Sequence, residues 1–213
     1  MPDFSFEERC SGLVAGIDEA GRGPWAGPVV AAAVILGQNT SARRALRHLL
    51  AGLDDSKRLP RERREEFAQL LERAATAGMV RYGLAAASVA EIDRLNILAA
   101  THLAMARALS ALGLRPAVAL VDGDRAPALS CRVETIIGGD GLSLSIAAAS
   151  VLAKVTRDGL MRRLAVRHPG FGWEHNMGYG TEEHREALWR IGPTCHHRRS
   201  FAPVSACQGE LSL

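Results

Sequence analysis

By hydrophobic pattern the chain divides into three apolar runs and two further strand-like stretches, set among segments of helical periodicity. Residues 13–17, 29–36 and 117–121 are apolar without interruption, which predicts strands covered on both faces. Residues 79–86 and 132–137 predict two more. A helix is expected over 42–50, where Leu46, Leu49, Leu50 and Leu53 recur at helical spacing. A second opens at Pro60, a residue suited to the first helical position, and stops before Gly78. Ser88-Val89-Ala90-Glu91 has the form of a capping box and opens a helical stretch to residue 112, with a break near Asn96. Residues 143–166 give the longest predicted helix and 181–190 the last. Strands first, then alternating strands and helices, predict an α/β fold: a mixed five-stranded sheet flanked by helices. Residues 1–213 are expected to form a single domain, with a core over about 12–166, a helical C-terminal part over about 167–204 and a loose tail over 205–213.

Composition narrows the class without naming it. A chain of 213 residues, 47% hydrophobic and 23% charged, can bury a sizeable core and is not disordered in bulk. No apolar run approaches the roughly 18 residues that span a bilayer. Met1-Pro2-Asp3-Phe4-Ser5-Phe6-Glu7-Glu8 lacks the basic-then-apolar order of a signal peptide. Neither a membrane nor a secretory route is expected. Cys10, Cys131, Cys195 and Cys207 form no C-x-x-C pair, so neither a disulfide scaffold nor a zinc cluster is indicated, and a reducing cytoplasm is the default. Cys195-His196-His197 with Cys207 fits zinc-ligand spacing poorly. A net charge of +3 is too small to imply nucleic acid by itself, and 5% aromatics argue against a base-stacking platform.

Candidate chemistry sits where apolar runs end. The first runs into Asp18-Glu19 and the third into Asp122-Gly123. Ligand sites in open α/β sheets lie at the carboxyl ends of strands. If these two strands were parallel neighbours, about 4.8 Å apart, both acids would face one site. Crowded carboxylates repel one another and favour a hard cation, Mg²⁺ or Mn²⁺. Each acid could equally cap the turn that follows it. After Glu19 comes Ala20-Gly21-Arg22-Gly23-Pro24-Trp25-Ala26-Gly27-Pro28, where glycines let backbone approach a ligand and Arg22 could hold a phosphate. A tight connection between strands would read the same way. On the long helix, Ser150, Lys154 and Asp158 make a polar line against an otherwise apolar first half, which suits either a polar cleft or an exposed stripe with a Lys154–Asp158 pair.

Taken together, these blocks closely resemble the type 2 ribonuclease H (RNase HII) family. The resemblance runs from Gly16-Ile17-Asp18-Glu19-Ala20-Gly21-Arg22-Gly23-Pro24 through Asp55-Ser56-Lys57, Val121-Asp122-Gly123, Ser145-Ile146-Ala147-Ala148-Ala149-Ser150 and Ala153-Lys154-Val155-Thr156-Arg157-Asp158. It continues through Gly178-Tyr179-Gly180-Thr181 to Arg198-Arg199-Ser200-Phe201. The blocks keep the family's order over nearly the whole chain.

The resemblance implies an RNase H-like fold with a helical C-terminal extension. It also implies a cytoplasmic endonuclease that cuts RNA in RNA–DNA hybrids, and ribonucleotides embedded in duplex DNA, as in replication and ribonucleotide excision repair. A monomer is expected, with Mn²⁺ or Mg²⁺ as cofactor and 3′-hydroxyl and 5′-phosphate products. By resemblance Asp18, Glu19, Asp122 and Asp158 hold the metals. Gly21, Arg22 and Gly23, with Tyr179, contact the ribonucleotide, and Ser56, Lys57, Ser150 and Lys154 complete the substrate site. Asp124 and Asp140 are reserve acids not expected to be primary ligands. His196, His197, Arg198 and Arg199 form a basic cluster that suits phosphates or open solvent equally. Leu142 and Met177 stand where many relatives carry Lys, which would weaken backbone affinity, and Trp25 stands where Leu is frequent. A junction-resolvase-like nuclease of the same broad fold, a type 3 ribonuclease H and a non-catalytic hybrid-binding module are the rival readings.

Overall fold

The structure is a computed structural model that describes residues 1–37 and 39–210. Strands form at all five of these stretches: β1 Val14–Ala20, β2 Val29–Leu36, β3 Val80–Ala87, β4 Val118–Asp122 and β5 Arg132–Ile136. Among the described residues they make one mixed sheet in the order β3-β2-β1-β4-β5. β2 runs antiparallel to β1 and β3, whereas β4 runs parallel to β1, and β5 to β4. β1 outlasts its apolar run: Asp18, Glu19 and Ala20 still pair with β2, so a strand rather than a turn carries the two acids.

The helices are α1 Ser5–Glu8, α2 Thr40–Leu49, α3 Arg61–Thr76, α4 Val89–Leu95, α5 Ile97–Ala111, α6 Leu144–Arg167, α7 Trp173–Asn176, α8 Glu182–Ile191 and α9 Ala202–Glu210. Caps set their bounds. The Asn39 side chain accepts from the Ala42 amide and starts α2 two residues before the apolar spacing does. Pro60 is the cap of α3 rather than its first residue. The Ser88–Glu91 capping box opens α4. Asn96 then breaks the helix at φ 69° and caps α5 with its side chain. The expected loose tail is corrected: α9 runs to Glu210, because Val204 and Cys207 are buried against Leu188. Residues 211–213 lie outside the described residues.

The sheet is covered on both faces, which explains β2's unbroken apolar sequence. Ala32, Val34 and Leu36 face α3 and α6; Val29, Ala31, Ala33 and Ile35 face α4 and α5. The first half of α6 is buried all round, with Ala147, Ala148, Ala149 and Ala153 against the sheet. Gly16 of β1 makes this close approach possible, since a Cβ there would overlap the α6 backbone at Ser145 and Ile146. Gly16→Ala is expected to lower the stability of the fold by about 1–3 kcal/mol. Urea denaturation checks this, and an unchanged midpoint would mean that α6 is not seated so tightly.

Candidate active site

The site is set by strand periodicity. Side chains alternate along a strand, so Val14 and Asp18 share the β1 face under α6, and Val118, Leu120 and Asp122 share the same face of β4. The parallel register pairs Ile17 with Val121, so the next step along both strands sets Asp18 beside Asp122. A third acid comes from the 3₁₀ turn Gly139–Gly141 that leads into α6. One carboxylate oxygen each from Asp18, Asp122 and Asp140 lies within 4.8 Å of the other two. The Gly139 amide donates to Asp122 Oδ1 at 2.7 Å, and the Glu19 amide donates to Asp18 Oδ1 at 2.7 Å. These bonds fix both carboxylates.

Burial and charge repulsion act together on these carboxyls. Burial first, then the Glu19 and Asp122 charges, hold the Asp18 carboxyl well above the usual range, while hydrogen bonding from Ser150 opposes the rise. Burial also raises Glu19, against the pull of Arg22. Asp140 is pushed up to about 6 by burial and by Asp122, against the Lys57 charge. Three converging hard oxygen donors fit a divalent cation, which would relieve their repulsion.

Asp140, expected only as a reserve acid, therefore joins the cluster, and Asp158 does not. Asp158 accepts from Lys154 Nζ at 2.7 Å and lies 4.0 Å from the Arg64 guanidinium. Arg64 also donates to the Ser56 and Leu59 carbonyls. Asp158 thus orders Lys154 and the loop bearing Ser56 and Lys57. Glu19, one step beyond Asp18, alternates away from the three-carboxylate group but lines the same cleft. Asp124 is exposed beside Arg125. The signal for Asp140 was a glycine-flanked acid just before a buried helix.

The cleft, about 320 Å³, brings together most of the expected residues: Asp18, Glu19, Gly21, Arg22, Gly23, Ser56, Lys57, Asp122, Ser150, Lys154 and Tyr179. The hydroxyls of Ser150 and Ser56 are hydrogen-bonded to each other at 2.9 Å, tying α6 to the loop before α3. Lys57 Nζ lies 3.8 Å from Asp140. Burial lowers the Lys57 pKa, but Asp55, Asp140, Asp18 and Asp122 together carry it above its ordinary value. Arg22 reaches Glu19 at 3.4 Å with half of its side chain in solvent, and Tyr179 is exposed at 46%.

The rim of the cleft is held by arginines that sequence reasoning did not assign to it. Arg157, almost wholly buried on α6, donates to the carbonyls of Pro28, Met177 and Ala26, each at 3.0 Å. Its pKa is lowered to about 10 by burial. The signal was a charge on a helix whose other face is core. Arg198 is also a correction: it is fully buried, so it meets neither phosphate nor solvent. It donates to the carbonyls of Gly27 at 3.0 Å, Arg22 at 2.8 Å and Gly21 at 2.6 Å. Burial and then the Arg157 charge lower its pKa to about 9, which still leaves it charged at neutral pH. His197 is buried too. Its Nδ1 accepts from the Thr194 amide, which leaves Nε2–H to donate to His184 Nε2 at 3.0 Å. His184 Nε2 also accepts from Trp173, so its Nδ1–H donates to the Tyr179 carbonyl at 2.9 Å. Burial pushes the His197 pKa down to about 3, in keeping with a neutral network. Met177 is nearly buried in an apolar cluster, whereas Leu142 is exposed.

Comparison with known proteins identifies the family and the fold. The sequence profile of the ribonuclease HII family matches residues 15–204. Ribonuclease HII of Paramagnetospirillum magneticum is 59% identical over 205 residues, 96% of this chain and 98% of that protein. Ribonuclease HII of Rhodospirillum rubrum is 58% identical over 213 residues, 100% of this chain and 94% of that one. Among solved structures, ribonuclease H2 of Pyrococcus horikoshii OT3 superposes with a TM-score of 0.74 at 26% identity, over 94% of this chain and 99% of that chain. The profile match over most of the chain and the high identity to these relatives show that this chain belongs to the ribonuclease HII family of enzymes.

Proposed function

We propose that the enzyme hydrolyses RNA in RNA–DNA hybrids and cuts at ribonucleotides embedded in duplex DNA, with two divalent cations, Mg²⁺ or Mn²⁺, held by Asp18, Asp122, Asp140 and Glu19. The observation that carries this is the convergence of three carboxylates beside the Gly21-Arg22-Gly23 loop, which lines the same cleft. Metals bound there would activate the attacking water and stabilise the departing oxygen, to leave 3′-hydroxyl and 5′-phosphate ends. Asp18 and Asp122, fixed by backbone amides, present oxygens without rearranging. Lys57 and Lys154, at the cleft, lower the local negative potential that would otherwise repel a phosphodiester. Arg22 offers a planar fork to a phosphate. The 2′-hydroxyl is both donor and acceptor, and rigid backbone around Gly21–Gly23 with the exposed Tyr179 is suited to read it. A module that merely binds hybrids would have no use for the mutual repulsion of buried acids. Among the described residues no helix is long and apolar enough to cross a membrane, which is compatible with a cytoplasmic nuclease.

Asp18→Asn, Asp122→Asn and Asp140→Asn should each lower cleavage of a duplex with one ribonucleotide by about a thousandfold or more, the equivalent of several kcal/mol of lost charge stabilisation. Asp158→Asn should slow the reaction but keep metal-dependent cleavage. Loss in Asp158→Asn with retention in Asp140→Asn would reverse the ligand assignment.

Gly21→Ala should abolish cutting at a single ribonucleotide. Gly21 has φ 99°, and a Cβ there would overlap the Arg157 guanidinium. Unchanged gel-assay rates on that substrate would place recognition elsewhere.

The raised carboxyls set a pH dependence. Asp140 rises from 3.8 to about 6 on folding, so the folded, metal-free protein keeps a proton that the unfolded chain has released. Metal-free stability should therefore fall as pH rises between those values and level off above. Divalent metal should raise the melting temperature more at pH 8 than at pH 5 in differential scanning fluorimetry. Equal rises at both would mean that the ion binds away from these acids.

A further inference from the structure

In the role proposed above the Gly21–Gly23 loop meets substrate through its backbone, so something must hold that backbone in place. Glycine is the residue least able to hold a backbone conformation. The constraint comes from 176 residues further along the chain, where Arg198 reaches under the loop and donates to the Arg22 carbonyl. The same guanidinium takes the carbonyls of Gly21 and Gly27, and its plane stands 5.1 Å over the Phe201 ring. The Arg198 amide donates to the Trp25 carbonyl at 2.8 Å, so main chain and side chain of one residue grip both halves of the loop.

The consequence follows from peptide geometry. All peptide bonds of the described residues are trans, and in a trans unit the C=O and N–H point in opposite directions. Turning the Gly21 carbonyl down onto Arg198 turns the Arg22 N–H up. Turning the Arg22 carbonyl down turns the Gly23 N–H up as well. Neither N–H donates to another described residue, and both residues line the cleft.

We infer that Arg198 is a positioning residue for ribose recognition: by fixing two carbonyls inward, it presents the Arg22 and Gly23 amides to the 2′-hydroxyl side of the bound ribonucleotide. The inference rests on the ribonucleotide-reading role proposed above for the loop. Only an arginine serves, because its planar fork meets three carbonyls at once, whereas a lysine ammonium keeps the charge but not the fork. Arg157, which takes the Ala26 and Pro28 carbonyls, fixes the far end of the loop. Residues 194–201 are thus part of the reader, although Arg198 never touches the substrate.

The test is binding without divalent metal, so that nothing is cut. Fluorescence anisotropy gives the affinity for a DNA duplex with one ribonucleotide and for the same duplex in all-DNA form. The wild type should prefer the first. Arg198→Lys should lose about tenfold of that preference, equivalent to about 1.4 kcal/mol, while its all-DNA affinity stays as in the wild type because the charge remains. A residue that merely supported the fold would lower both affinities together, and that result, or a preserved preference, would overturn the inference. A wild type with no preference would overturn the ribonucleotide-reading role and the inference with it. If Arg198→Lys fails to melt cooperatively, amide hydrogen exchange on the wild type decides. The Arg22 and Gly23 amides should gain protection with the ribonucleotide duplex and not with the all-DNA duplex. Equal protection by both, or by neither, would contradict the assignment.

Discussion

The alignment of β1 with β4 is the constraint from which the site follows. Parallel pairing of Ile17 with Val121, together with strand alternation, sets Asp18 and Asp122 side by side on the face beneath α6. A slip of one residue in either strand would send one acid to the opposite face, among the apolar side chains of α5. Neighbouring acids in a buried place destabilise one another. The fold accepts this because strong, unrelated contacts fix it. Alanines and Gly16 let α6 lie directly on β1, and the Glu19 and Gly139 amides hold the two carboxylates. The same helix then carries Ser150 and Lys154 into the cleft and Arg157 to its rim. One packed helix relates the acid cluster to the half of the cleft proposed to recognise substrate.

The C-terminal part answers a different physical demand. A loop of three glycines and two prolines has few side chains with which to hold itself in place. Two guanidiniums buried among backbone carbonyls supply the order that side-chain packing cannot. Charge is thereby compensated by oriented dipoles, and the glycine backbone of the loop is held without side-chain packing of its own. A neutral histidine pair does the corresponding work for Tyr179, whose carbonyl is fixed by His184. Rigid donors cost no reordering when substrate arrives, which favours discrimination between sugars.

Much of this was legible in the chain, for identifiable reasons. Unbroken apolar runs such as residues 29–36 report a sheet covered on both sides, and the structure contains that strand at Val29–Leu36. The capping box at Ser88 and the break at Asn96 were equally plain, since each is local chemistry. Asp18 and Asp122 could be proposed together because both close an apolar run. What the sequence hid is what depends on long-range placement. Asp158 was named by the family resemblance, and its polar line with Ser150 and Lys154 suited a cleft or a simple ion pair equally; it is paired with Lys154 and Arg64. Asp140 sits in a glycine turn with no periodicity to speak for it. Arg198 looked like part of a surface charge run because burial of a cation leaves no mark on local pattern. The end of α9 was missed because its polar composition conceals the burial of Val204 and Cys207.

The central claim is that Asp18, Asp122 and Asp140 form one cation site. Anomalous diffraction from crystals soaked in Mn²⁺ tests it most directly. The account predicts an anomalous peak bonded to oxygens of all three carboxylates, with none at Asp158. A peak coordinated by Asp158, or no peak among the three acids in crystals that diffract well, would contradict it.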